Sequence, residues 1–214
     1  MGKLSEEQKA LLTMTYNEFG KLVEFQYDVY GFIGINNKVR LVNTDTLEVL
    51  DIELSIRYIG DSIIILGNYN MGVNIKFVML DRKTLNTLYE CNKELVKIGD
   101  VIYERSYNEF VYGNNVIRNI FNLEGSLIGS LSLQGELIIE DTDNPKYYIV
   151  SNKVFNSAEY DNNIALYDKD NESFKIIKSF SGYDVECIGY GLYKFSRYDN
   201  YKETFMLDII NNSV

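Results

Sequence analysis

Three aspartates stand where an apolar stretch opens: Asp61 in "YIGDSIIIL", Asp100 in "KIGDVIYER" and Asp141 in "IIEDTDNPKYYIV". If the three stretches are equivalent strands, their carboxylates converge on one point. Like charges so placed either bind a divalent cation, calcium or magnesium, or raise a carboxyl pKa. Asp61, Asp100 and Asp141 are therefore the candidate metal ligands, weighed against the simpler role of an acid that satisfies nearby backbone N–H groups. Two acidic turns, "EDTDN" at Glu140–Asn144 and "DKDNE" at Asp168–Glu172, also space oxygen ligands at alternate positions. Neither continues into the glycine and distal glutamate of an EF-hand, so exposed hairpin tips are the expectation there.

Other chemistries are closed to this chain. It has no histidine and no tryptophan, and two cysteines 96 residues apart. Ser-His-Asp and Cys-His nucleophilic sites, His-ligated metals and cysteine-rich zinc sites therefore have no ligands to draw on. Carboxylate pairs alone can still hydrolyse glycosides. Sugar clefts, however, favour tryptophan platforms, and the 18 tyrosines fall largely in strand-like stretches that suit a pleated surface. No catalytic and no cofactor-binding residue is assigned.

The elements that would position these acids come in repeats. "VRLVNTDTLEVL" at Val39–Leu50 is answered by "FVMLDRKTLNTL" at Phe77–Leu88, an offset of 38. An Asn or Asp closes each apolar strand at Asn43, Asp81, Asn122, Asp168 and Asp208, at intervals of 38, 41, 46 and 40. The stretches that open on an acid alternate with these anchors, and "QYDVYGFIG" at Gln26–Gly34 is an earlier member. One unit reads as strands over 62–68, 74–80, 87–91 and 94–98, joined by short turns rich in Gly, Asn, Asp and Lys. In those turns Asn43 and Asp81 are placed to accept backbone N–H bonds in Asx turns.

Four short antiparallel strands per roughly 40 residues resemble the repeats of β-propeller proteins. The resemblance runs over residues 26–214 and is to the architecture rather than to a particular family, since the Gly-His and Trp-Asp signature of WD-type repeats is absent. It implies an all-β fold: a single closed propeller, of five blades by the count of anchors, with a short N-terminal helix. The expected domains are a helix over 1–14 and a propeller over 15–214, in which a strand over 17–26 completes the last blade and protects its edges. An open sandwich of short strands is the competing topology.

The helix rests on Ser5 and Gln8, spaced as a capping box, with Leu4, Leu11, Leu12 and Met14 as its apolar face. At 46% hydrophobic, 214 residues suffice for one cored domain. No apolar run approaches a membrane span or a signal peptide, and Glu6 stands where a myristoylation signal wants Ser or Thr, so a cytoplasmic address is expected. In that compartment Cys91 and Cys187 are expected as two buried thiols. The net charge of −10, with basic residues scattered singly, argues against nucleic acid and for a protein partner with a basic surface. The composition, rich in Asn, Ile, Lys and Tyr, fits an A+T-rich bacterial or phage genome. The sequence thus points to a monomeric, non-enzymatic binding or scaffold protein that uses no cofactor, with a carboxylate- and divalent-cation-dependent hydrolase of glycans or phosphate esters as the alternative.

Overall fold

The computed structural model describes residues 4–26, 28–34, 38–68, 75–105, 115–142, 144–153, 160–189, 191–200 and 202–208. The helix α1 spans Glu6–Phe19. The Ser5 side chain accepts from the Gln8 N–H while Gln8 reaches back to the Ser5 N–H, so the expected capping box forms. Gly20 ends the helix with φ +85°, and its N–H donates to the Tyr16 carbonyl. The helix therefore runs through Asn17–Phe19, which were expected to be strand.

Every strand that follows pairs antiparallel with a chain neighbour. The first sheet is β1 (Lys21–Gln26), β2 (Val29–Ile33), β3 (Val39–Asn43) and β4 (Val49–Ile52), and the second is β5 (Ser55–Ile59), β6 (Ile63–Asn68), β7 (Lys76–Asp81) and β8 (Thr87–Cys91). The third is β9 (Glu94–Ile98), β10 (Val101–Arg105), β11 (Val116–Asn122) and β12 (Leu127–Leu133). The fourth is β13 (Glu136–Asp141), β14 (Tyr147–Lys153), β15 (Tyr160–Asp168) and β16 (Ser173–Ser181). The fifth holds three strands among the described residues, β17 (Tyr183–Gly189), β18 (Leu192–Arg197) and β19 (Thr204–Asp208). One helix followed by successive meander sheets of three or four strands is a propeller-like, all-β architecture.

Two boundaries differ from the sequence reading. β1 is the first strand of the first sheet, with Lys21 opposite Ile33 and Gln26 opposite Val29, rather than a strand added to the last one. β1 and β2 are neighbours in the chain, with Gln26 opposite Val29, and local closure costs least. The repeat also starts one strand earlier than read: 94–98 opens the third sheet, and Ser55–Ile59 opens the second.

The strands fall into two compact units, Met1–Leu95 with Leu123–Gly125, and Val96–Asn122 with Ser126–Val214. In the first, Val29, Leu41, Ile64, Leu66, Val78 and Leu80 form one core from the facing sides of the first two sheets. In the second, Tyr103, Ile120, Ile139, Tyr148, Val150 and Phe174 join the third and fourth sheets, while Ile149, Ile164, Phe180, Phe195 and Leu207 join the fourth and fifth. The middle strands are buried on both faces, which explains continuous runs such as Ile63–Leu66 in place of alternation.

All five anchors end the third strand of a sheet. The Asn43 side chain accepts from the N–H groups of Asp45 and Thr46, Asp81 from Thr84, Asn122 from Ser126, and Asp168 from Asp170 and Asn171. The hairpin then needs a left-handed residue four positions after the anchor, supplied by Leu47 at φ +61°, Leu85 at +53° and Glu172 at +46°. The shorter third-sheet turn uses Gly125 at +86°. The left-handed region costs a non-glycine residue roughly 1–2 kcal/mol. Leu85 offsets it by sitting in the core, whereas Leu47 is exposed.

Leu47→Gly should therefore leave stability unchanged or raise it by up to about 1 kcal/mol, the strain relieved less the entropy of an added glycine. Leu85→Gly should cost about 1–2 kcal/mol, because lost burial outweighs the same relief. Urea melts of both variants check this; equal losses would mean that the turn strain is not what separates them.

Candidate functional site

The acids singled out from sequence sit at the turn between the first and second strands of a sheet. Asp61 lies in the β5–β6 turn, Asp100 in the β9–β10 turn and Asp141 at the end of β13. Asp28, in the β1–β2 turn, is a fourth of the kind. What meets them comes from the residue just after a third-strand anchor. That position holds Thr44, Arg82, Leu123 and Lys169 in the first four sheets.

In the first unit Arg82, 8% exposed, forms an ion pair with Asp28. Its Nη1 donates to the Gly60 carbonyl at 3.2 Å and the Asp61 carbonyl at 3.1 Å, so one guanidinium ties the first turns of two consecutive sheets. Thr44 donates from its backbone N–H and its hydroxyl to the Asp28 carbonyl, at 2.8 and 3.1 Å. The Asn43 amide donates to the Arg82 and Lys83 carbonyls at 2.9 and 3.2 Å, and Gln8 of α1 donates to the Thr44 carbonyl at 2.8 Å. Helix and hairpins thus share one hydrogen-bonded seam. Beside it lies a cavity of about 500 Å³ lined by Gln26, Arg57, Tyr58 and Asp61. Burial, with the Asp61 charge second, pushes the Tyr58 hydroxyl up from its ordinary pKa.

The second unit repeats the device more openly. Lys169 Nζ lies 2.5 Å from Asp100 Oδ2 and 6.0 Å from the centre of the Tyr167 ring. The Asp100 N–H donates to the Tyr148 hydroxyl at 3.0 Å. Gly99, at φ +50°, makes this approach possible, since a Cβ there would stand 2.8 Å from the Tyr148 hydroxyl oxygen and 3.4 Å from Asp141 Cβ. Burial pushes Tyr148 up to about 12, which the Asp100 N–H opposes and the Asp100 and Asp141 charges reinforce. Tyr148 therefore stays protonated and serves as a hydrogen-bonding group, not a base. A cavity of about 630 Å³ opens alongside, lined by Lys146, Tyr147, Leu166, Tyr167 and Lys169.

The geometry gathers Asp100, Asp141, Tyr148 and Lys169, and it gives Asp100 a lysine where the sequence reading had placed a cation. Asp61 belongs to the first unit, and it is its carbonyl that Arg82 engages. Among the described residues no group of three or more His, Cys, Asp or Glu could hold a metal ion. Of the two acidic turns, Asp143 of "EDTDN" lies outside the described residues, and Asp168 of "DKDNE" is held by Asn171 and Asp170, which keep its carboxyl below the ordinary range. Cys91 is half-buried and donates to the Lys93 carbonyl, whereas Cys187 is exposed on β17, contrary to the expectation of two buried thiols. The sequence reading missed Arg82, Lys169 and Asp28; the readable signal was a basic residue directly after the anchor in alternate sheets.

No protein-family model matches the sequence, and no curated protein does either. Solved structures with a similar chain path include an oligogalacturonate lyase in complex with manganese, at 10% identity and a TM-score of 0.39 over 87% of this chain and 60% of that one. The β-propeller domain of the trilobed protease from Pyrococcus furiosus, described as having an open velcro topology, matches at 11% identity and a TM-score of 0.41 over 87% of this chain and 68% of that one. Atg21, in complex with the coiled coil of Atg16, matches at 13% identity and a TM-score of 0.42 over 81% and 62%. The chain spans less than two thirds of the lyase and of Atg21. The likeness is one of fold. No helix among the described residues is long and apolar enough to cross a membrane.

Arg82→Met should destabilise by about 3–5 kcal/mol, because it strands a buried carboxylate and two carbonyls. Lys169→Met should cost less than about 1 kcal/mol and only at low salt, because its pair is open to water. Urea melts at two salt concentrations separate the cases, and equal losses would refute the distinction between a buried and an exposed clamp. Titration calorimetry with calcium, magnesium and manganese should give no saturable heat. Saturable binding that disappears in both Asp100→Asn and Asp141→Asn would reinstate the cation site.

Proposed function

We propose that this is a non-enzymatic binding protein that engages a partner protein through its propeller-like sheets. The observation that carries the reading is a recurrent exposed aliphatic residue where the outermost strand begins. Val49 faces Val42, Leu127 faces Phe121, and Leu88 sits in the bulge beside Leu80; Val42, Phe121 and Leu80 each immediately precede an anchor. The three aliphatics are 41%, 59% and 46% exposed. Single exposed apolar residues are ordinary. Val49 and Leu127 share one register position, which Thr87 holds in the second sheet with Leu88 one residue later; an exposed aliphatic near the start of three outermost strands is not accounted for by folding, because the neighbouring core positions are already filled. Large apolar side chains kept in water there are what an interface uses as anchors. The net charge of −10 supports a partner with a basic surface.

The test is affinity capture from the source cells with wild type and with the combined variant Val49→Ser, Leu88→Ser and Leu127→Ser. The variant should keep its melting temperature and retain about tenfold less of a specific partner, as loss of interface anchors implies. Equal retention by both proteins, or no specific partner with either, would overturn the reading.

A further inference from the structure

The cavity beside the Arg82 seam is built on a break in strand alternation. β5 pairs with β6 through Ile56 opposite Leu66 and Tyr58 opposite Ile65, so Arg57 is the extra residue of a β-bulge. A bulge re-aims side chains that regular pleating would send to opposite faces. Here every residue from Ile56 to Asp61 lines one cavity of about 500 Å³, and Gln26 at the end of β1 completes the lining. That volume falls within the range of small-molecule sites, roughly 300–1,000 Å³.

The lining is polar, and its formal charges cancel. Arg57 brings a guanidinium that only donates and Asp61 a carboxylate that only accepts, while the Gln26 amide and the Tyr58 hydroxyl do both. The wall is also held in place before any ligand arrives. The Tyr58 ring lies against Gly60, where a Cβ would stand 2.7 Å from its Cε1, and the Gly60 N–H donates to the Ile63 carbonyl at 2.8 Å. Buried Arg82 engages the Gly60 and Asp61 carbonyls, which fixes the main chain of the turn while the Asp61 residue stays exposed. A preformed wall lowers the ordering cost of binding.

We propose that this cavity binds a neutral sugar, a mono- or disaccharide. Adjacent hydroxyls of the sugar would donate to the Asp61 carboxylate and accept from Arg57 and Gln26, while the apolar face of the ring lies on Tyr58. A sugar carries donors and acceptors side by side without net charge, which is the complement of this lining. Tyr58 supplies the aromatic platform in a chain without tryptophan. Asp61 is the one carboxylate among the described lining residues, and glycoside hydrolysis uses a pair, so the site binds without cleaving.

The probes are glucose, galactose, mannose, maltose and lactose, each titrated into the full chain and followed by saturation-transfer NMR and by the amide shifts of the protein. The expected result is saturable binding of at least one sugar, with shifts centred on Gln26 and Ile56–Asp61. Asp61→Asn should weaken that binding about tenfold or more, through loss of charge-assisted hydrogen bonds, and should keep the melting temperature, because Arg82 engages the main-chain carbonyl there. Asp100→Asn, in the second unit, should bind the sugar as the wild type does. The inference is overturned by no saturable binding of any of the five sugars, by shifts centred elsewhere, or by equal affinity in the wild type and Asp61→Asn.

Discussion

One short-range hydrogen-bonding pattern organises this molecule: a side-chain oxygen at the end of the third strand in each of the first four sheets accepts N–H groups two to four residues on. Asn43, Asp81, Asn122 and Asp168 all do this. By closing the hairpin to the fourth strand they fix where the next residue points. That next residue is what reaches the first turn of a sheet, as Thr44 and Arg82 do in the first unit and Lys169 in the second. The turn therefore does two jobs. It satisfies backbone donors locally, and it aims a longer-range clamp.

The clamps matter because a four-stranded sheet cannot bury its own faces. Each of the cores described above draws residues from two consecutive sheets, so a sheet without its neighbour would expose an apolar face. Apolar contact supplies the driving force without fixing register. The polar seam of Arg82, Asp28, Asn43 and Gln8 has fixed donor and acceptor directions and fixes how the hairpins of the first unit meet.

The anchors were legible in the sequence because their partners lie within four residues. The repeat therefore showed through the spacing of Asn, Asp and Thr-Leu alone. Its phase did not, because β5 and β9 are half-exposed opening strands with Arg57 and Lys97 interrupting the apolar pattern, and nothing local says which neighbour such a strand joins. The extent of α1 was misjudged for a similar reason. Thr15, Tyr16 and Phe19 have strand-like propensity, and tertiary packing overrides it, with Thr15 buried and the Arg40 guanidinium 4.3 Å from the centre of the Phe19 ring. The acids were seen and their partners were not: a pairing between Asp100 and Lys169, 69 residues apart, leaves no mark in a single sequence.

Arg82 and Lys169 occupy the same repeat position yet are not interchangeable. The guanidinium is buried, and its fork reaches a carboxylate and two carbonyls from different turns at once. An ammonium there would be a strongly hydrated point charge, taken out of water with its donors on one atom, unable to span acceptors on different turns. Lys169 meets the Asp100 carboxylate at a site open to water, where a flexible point charge suffices. The first unit thus uses the position as a buried rivet. The second leaves it as an exposed rim charge beside an aromatic cavity, so a substitution there should alter the surface more than the fold.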